Sequence, residues 1–137
     1  MMDEILPHLY LGDMNDGAAA IPYMDVLCVM WTGEPNITPG ATHIQTTDFD
    51  GLKQPFTCIT EMDKAADWID RRVQDGFNVL VHCAYGVERS PLTVVWYLMR
   101  HRQMDLADAY SLVLDRHPSA QYRGGWLPEE VRLSGHL

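Results

Sequence analysis

Basic charge is scarce in this chain: 10 Lys and Arg stand against 19 Asp and Glu, leaving a net charge of −9. Long-range repulsion at that balance argues against nucleic acid, anionic membrane and polyanionic substrates as partners. Long apolar runs are missing too, and none approaches the ~20 residues that a membrane span needs. The opening Met1-Met2-Asp3-Glu4 has no basic start of the kind a secretory signal carries. Cysteine is limited to Cys28, Cys58 and Cys83, an odd number without metal-ligand spacing, which suits a reducing compartment. These absences lead us to expect a soluble cytoplasmic monomer that needs neither metal nor cofactor. The 137 residues suffice for one domain with one core, taken as 1–137.

What is present is an alternation of apolar runs and amphipathic stretches. Ile5 to Leu11 reads as a short edge element broken at Pro7, and Asp13 to Ala20 as a turn or two of helix. Asp25 to Met30 is a continuous apolar run, hence a buried strand, and Thr42 to Thr46 reads as another. Between them, Trp31 to Gly40 holds two prolines and two glycines and is loop; Thr47 to Pro55 reads as loop as well. From Thr57 the period becomes helical, with Ile59, Met62, Ala66, Ile69 and Val73 on one face, until Gly76 ends it. A strand from Phe77 to Val81 follows, then helices over Pro91 to Arg102, from an Asp105 cap through Leu114 with Asp108 as capping partner, and from Pro128 to Leu133. Strands alternating with helices predict an α/β fold with a mainly parallel central sheet.

The most informative stretch joins the last strand to its helix: His82-Cys83-Ala84-Tyr85-Gly86-Val87-Glu88-Arg89-Ser90-Pro91. A loop closed at a helix N-terminus can turn the amides of Ala84, Tyr85, Gly86, Val87 and Glu88 inward, where they and the helix dipole bind a tetrahedral oxyanion. Arg89 adds a planar fork matched to two phosphate oxygens. The same field favours the thiolate of Cys83 at the mouth of the loop. Gly86 suits a backbone position needing φ > 0, and Pro91 a first helical turn. One loop thus supplies a nucleophile and an anion clamp, at the carboxyl end of a strand where α/β sheets place ligands.

His82-Cys83, five intervening residues with Gly86 third, then Arg89-Ser90 resembles the signature of the cysteine-dependent protein tyrosine phosphatases. The Arg-Ser-Pro ending and the short length are most similar to the dual-specificity branch. Leu9-Tyr10-Leu11-Gly12 is similar to that family's opening strand, and Arg116-His117-Pro118 to its segment after the catalytic helix. The resemblance implies a three-layer fold, a central sheet flanked by helices. It also implies that Ser90 hydrogen-bonds the Cys83 sulfur and that His82, pointing away from substrate, braces the loop. A helix-capping Ser90 and a core His82 are the plainer readings.

Hydrolysis of a phosphate monoester also needs a proton for the leaving oxygen. Asp48 and Asp50 lie together in one loop. The resemblance favours Asp48, because Ile44-Gln45-Thr46-Thr47-Asp48 matches the strand that precedes the family's general acid; Asp50 lies closer to the family's usual spacing from the cysteine. Glu88 departs from the pattern, since a carboxylate there repels phosphate unless it turns outward. Ala84 and Tyr85 stand where lipid-phosphate members carry basic residues, pointing to phosphotyrosine and other phosphoprotein substrates, with Tyr85, Tyr122 and Trp126 as candidate walls. Cys28 or Cys58 could trap an oxidised Cys83 as a disulfide. The competing readings are a phosphoprotein-binding module of the same fold, a phosphatase for a non-protein phosphate, and a sulfur transferase.

Overall fold

A computed structural model describes residues 2–51 and 54–137. Residues 52 and 53 of the loop expected over Thr47 to Pro55 lie outside the described residues, as does Met1 at the chain start. The strands are β1 (Asp3–Leu6), β2 (Leu9–Gly12), β3 (Asp25–Cys28), β4 (Thr42–His43), β5 (Thr47–Asp48), β6 (Phe56–Thr57) and β7 (Val79–His82). The helices are α1 (Met14–Ala20), α2 (Ile59–Gln74), α3 (Arg89–His101), α4 (Leu106–Arg116) and α5 (Glu129–Ser134), with a 3₁₀ turn at Gly124–Trp126.

Five strands form one sheet in the order β1-β2-β7-β3-β4, in which only the β1–β2 pairing is antiparallel. The expected mainly parallel sheet is therefore observed. β7 lies at its centre, and alternation along it splits the core. Leu80 packs with Val26 and Ala20 on the α1 side, while Val79 and Val81 join the larger core containing α2, α3 and α4 residues. Opposite faces of one buried strand thus account for both helical layers. α3 is apolar nearly all round, with every residue from Ser90 to Met99 buried, as a helix enclosed between a sheet and two further helices must be.

Several boundaries differ from the sequence reading. Leu9–Gly12 is an interior strand, because a β1 hairpin partner covers its outer edge. Thr46 does not prolong β4. The chain instead enters a separate two-stranded ladder, pairing Thr47 with Thr57 and Asp48 with Phe56, so Thr57 is strand and α2 begins at Ile59. The central strand runs from Val79 through His82 rather than from Phe77 to Val81, and Phe77, before its start, is exposed. α1 carries a complete capping box: Asp13 accepts from the Asp16 amide and Asp16 from the Asp13 amide, both at 2.9 Å. At α4 the Asp105 side chain accepts from the Asp108 amide (2.8 Å), and no reciprocal bond from Asp108 forms.

Candidate active site

The segment between β7 and α3 is held by its carbonyl groups. The Cys83 carbonyl accepts from His82 Nδ1 (3.0 Å), that of Ala84 from the Met14 amide (3.2 Å), that of Gly86 from His117 Nε2 (2.7 Å) and that of Val87 from the Gln121 amide (2.9 Å). The described residues include no cis peptide, and in a trans peptide C=O and N–H point oppositely. The amides of Ala84, Tyr85, Val87 and Glu88 therefore face away from those four partners. Gly86 has φ +70°, and a Cβ there would lie 2.8 Å from the Gly12 carbonyl oxygen, so β2 leaves room only for glycine.

Cys83 directly follows β7 and is 2% exposed. The sequence reading sets it at the loop's mouth; the structure sets it on the floor, because β7 continues one residue further and the first turn of α3 closes over it. Its Sγ lies 3.2 Å from Ser90 Oγ, and Ser90 is itself fully buried without capping α3. Either atom of this pair can donate, and toward a sulfur acting as a nucleophilic thiolate, which only accepts, the hydroxyl would be the donor.

His82 is fully buried. Its Nδ1 faces a carbonyl, which requires a hydrogen on Nδ1, and its Nε2 lies 3.0 Å from the Thr38 hydroxyl, a group able to donate to it when the ring is neutral. Gly17 of α1 lets the helix pass against this ring, since a Cβ there would fall 2.5 Å from the imidazole. Burial pushes the His82 pKa down, opposed by the Cys83 carbonyl and by the charges of Asp13 and Asp16. Below an unfolded-state value of about 6.5 the unfolded chain takes up a proton that the folded chain refuses. Stability should thus be fully present above about pH 6.5 and fall as pH drops below it. Urea midpoints measured from pH 5 to 8 should show this decline in the wild type and a shallower one in His82→Gln; parallel declines would assign it to other groups.

Arg89 opens α3. Its Nη1 and Nη2 pair end-on with both carboxylate oxygens of Glu34, Nη2 to Oε2 at 3.3 Å, and Trp31 covers the guanidinium with its centroid 4.6 Å away. Phe49 stacks on Trp31 in turn, centroids 6.0 Å apart and planes 17° apart, while Trp31 Nε1 donates to Thr47 Oγ1 (3.1 Å). This stack of Arg89, Trp31 and Phe49 links the α3 terminus to the segment that carries Asp48 and Asp50. Asp48 is exposed at the end of β5, with Oδ1 accepting from the Phe49 amide at 2.8 Å. The ladder carrying it is tied down by Thr57 Oγ1 to the Trp126 carbonyl (2.9 Å) and Gln54 to the Gly125 carbonyl (3.0 Å).

Glu88 turns outward, and its Oε2 accepts from Arg123 Nε at 2.7 Å. The repulsive carboxylate anticipated from sequence is thereby neutralised. The pair lines a cavity of about 400 Å³ beside the loop, together with Gln54, Pro55, Tyr122 and Trp126. Tyr122 and Trp126, expected as walls of the phosphate site, line this neighbouring cavity, whose lining includes neither Cys83 nor Arg89, and Tyr85 is 80% exposed. Cys28 is buried in β3, where burial raises its thiol pKa and Cys83 is one of its electrostatic neighbours; Cys58 instead feels Asp48 and Glu61.

A family model for the dual specificity phosphatase catalytic domain matches residues 32–129, taking in the loop, Arg89 and both candidate acids. The chain belongs to the dual specificity phosphatase family. Dual specificity protein phosphatase 26 of Homo sapiens is 33% identical over 132 residues, covering 89% of this chain; dual specificity protein phosphatase 9 of Homo sapiens is 31% identical over 120 residues, covering 80%. The chain spans 62% of the first of these relatives and 30% of the second. The crystal structure of human DUSP28 has the same fold, with a TM-score of 0.69 at 22% identity over 98% of this chain and 88% of its own. So does that of human tyrosine phosphatase-like serine/threonine/tyrosine-interacting protein, with a TM-score of 0.73 at 22% identity over 97% and 93%.

Dual specificity phosphatase membership gives the loop its context, but Trp31, Glu34, Thr38 and Arg123 carry no local signal that sequence reading could have used. Each acts from a loop whose path only the fold fixes. The dipeptide Gly33-Glu34 alone, with Gly33 at φ +92°, marks a turn rather than a partner for Arg89.

Proposed function

We propose that this domain hydrolyses phosphate monoesters on protein phosphotyrosine, and on phosphoserine and phosphothreonine, through a phosphocysteine at Cys83. The observation carrying this reading is the set of four outward-held carbonyls around a sulfur that meets a hydroxyl, with Arg89 at the rim. The amides opposite them, and Arg89, take the phosphate oxygens and stabilise the charge spread over them in the transition state.

The thiolate of Cys83 attacks phosphorus; the P–O ester bond breaks, and its electron pair leaves on the substrate oxygen as Asp48 delivers a proton to it. Water then attacks the phosphocysteine, giving its proton to Asp48. The S–P bond breaks, and its electrons return to sulfur, steadied by the Ser90 hydroxyl. Asp48 is preferred to Asp50 because Ile44-Gln45-Thr46-Thr47-Asp48 matches the strand that precedes the family's general acid, and β5 pairing holds it in place.

A panel of phosphorylated peptides, phospholipids and nucleotides tests the substrate class, and acid quenching of a reaction on labelled phosphopeptide tests the intermediate. We expect release from the peptides and an acid-stable label on Cys83. Release from lipids or nucleotides alone would displace the protein-substrate reading. Asp48→Ala should slow turnover more than Asp50→Ala, and the reverse order would exchange their roles.

A further inference from the structure

The four carbonyl anchors are not equivalent. Two of the donors, Met14 and Gln121, are main-chain amides, and His82 is the residue next to Cys83 itself. The fourth is a side chain from the far end of α4. His117, 3% exposed, sends Nε2 to the Gly86 carbonyl at 2.7 Å and Nδ1 to the Asp3 carboxylate of β1 at 2.6 Å. Ser119 Oγ also lies 3.3 Å from Nε2.

The peptide so anchored is the one least able to hold itself. Its first residue is Gly86, whose missing Cβ leaves ψ, the torsion that aims the 86–87 peptide from that side, less restrained than at any other residue type. Its orientation decides whether the Val87 N–H or the Gly86 C=O faces the phosphate, one attracting the anion and the other repelling it. A carbonyl only accepts, so Nε2 carries a hydrogen whatever the state of the rest of the ring. Nδ1 faces a carboxylate that also accepts. This is the opposite of His82, whose second nitrogen meets a hydroxyl able to donate.

We infer that His117, oriented by Asp3, is a positioning residue that aims the Val87 amide at the phosphate. The inference rests on the phosphate-binding part of the proposed function. The end of α4 is held by its backbone as well as by the ring: the His117 amide donates to the Val113 carbonyl (2.8 Å), and the His117 carbonyl accepts from Ala120 (3.0 Å).

The test uses tungstate as the oxyanion probe on the full chain. Affinity is read by calorimetry, the Val87 amide by its proton and nitrogen shifts, and turnover on a phosphotyrosine peptide in parallel. His117→Ala should weaken tungstate about tenfold, lose the Val87 shift on binding and lower kcat more than it raises KM. His117→Gln, whose amide can donate to the Gly86 carbonyl, should recover most of the affinity. Asp3→Asn should fall between alanine and wild type, and it carries the test if the alanine variant does not fold. Wild-type affinity and Val87 response in His117→Ala, or in Asp3→Asn where that variant stands in, would overturn the inference. So would a wild type that binds no tungstate. A wild type that binds tungstate, with these variants behaving as stated, but releases no phosphate from any peptide would overturn the reaction and leave the positioning role standing.

Discussion

Cys83→Ser should abolish phosphate release, a fall of at least about 10⁴-fold, while phosphopeptide affinity stays within a few-fold of wild type. A serine hydroxyl is a useful nucleophile only beside a general base, and the structure places none on the floor of the loop. The neighbouring histidine is committed on both sides, Nδ1 to the Cys83 carbonyl and Nε2 to Thr38. The group in contact with the sulfur is Ser90, another hydroxyl. The amides and Arg89 proposed to hold phosphate are untouched, and Ser differs from Cys by one small atom in a packed site, so binding should persist. Paired measurements of release and of phosphopeptide affinity check both halves. Turnover in the serine variant within about a hundredfold of wild type would remove Cys83 from the nucleophile's role. Wild-type binding without Cys83-dependent release would instead leave the domain as a phosphoprotein-binding module, a reading that the burial of Cys83 and the carboxylate on Arg89 favour.

The loop was legible because its residues are local: cysteine, glycine and arginine sit within seven consecutive positions, bounded by a buried run and an apolar helix. The parallel sheet was legible for a similar reason, since β3 and β7 are apolar on both faces and only a layer of helices on each side permits that. The edges were harder. The Thr47–Thr57 pairing is two residues deep and owes its existence to tertiary ties at Trp126 and Thr46, which no propensity encodes. The fate of Glu88 depended on Arg123, 35 residues away, and that of Arg89 on Glu34, 55 residues away. Side chains that tune the loop come from segments distant in sequence and close only after folding. His117 shows the limit most plainly: within its own helix it reads as a C-terminal residue beside the dipole, and its partner Asp3 is 114 positions away.

Arg89→Lys should reduce kcat/KM by about 10²–10³-fold even though the positive charge is kept. Glu34 takes the end of the guanidinium, through Nη1 and Nη2, which leaves the Nε edge to meet a phosphate side-on. A planar fork serves two anions at once because its hydrogens point in fixed, divergent directions. An ammonium has no such division of edges. A lysine in this position would settle against the Glu34 carboxylate, a few ångströms from where phosphate needs it, and would also lose the stacking on Trp31. Glu34→Ala should be milder, about a tenfold loss, because the guanidinium keeps its fork but loses the carboxylate that holds it against Trp31. The order of the two variants is the discriminating result. If Glu34→Ala instead binds tungstate more tightly and turns over faster than wild type, the carboxylate competes with phosphate for the guanidinium, and Glu34 restrains the site rather than aligning it. Combining the two substitutions sharpens the test: with Glu34 removed, the lysine has no internal carboxylate to pair with. Part of the Arg89→Lys loss should then return if capture by Glu34 causes it, and none should return if the missing fork is the whole cause.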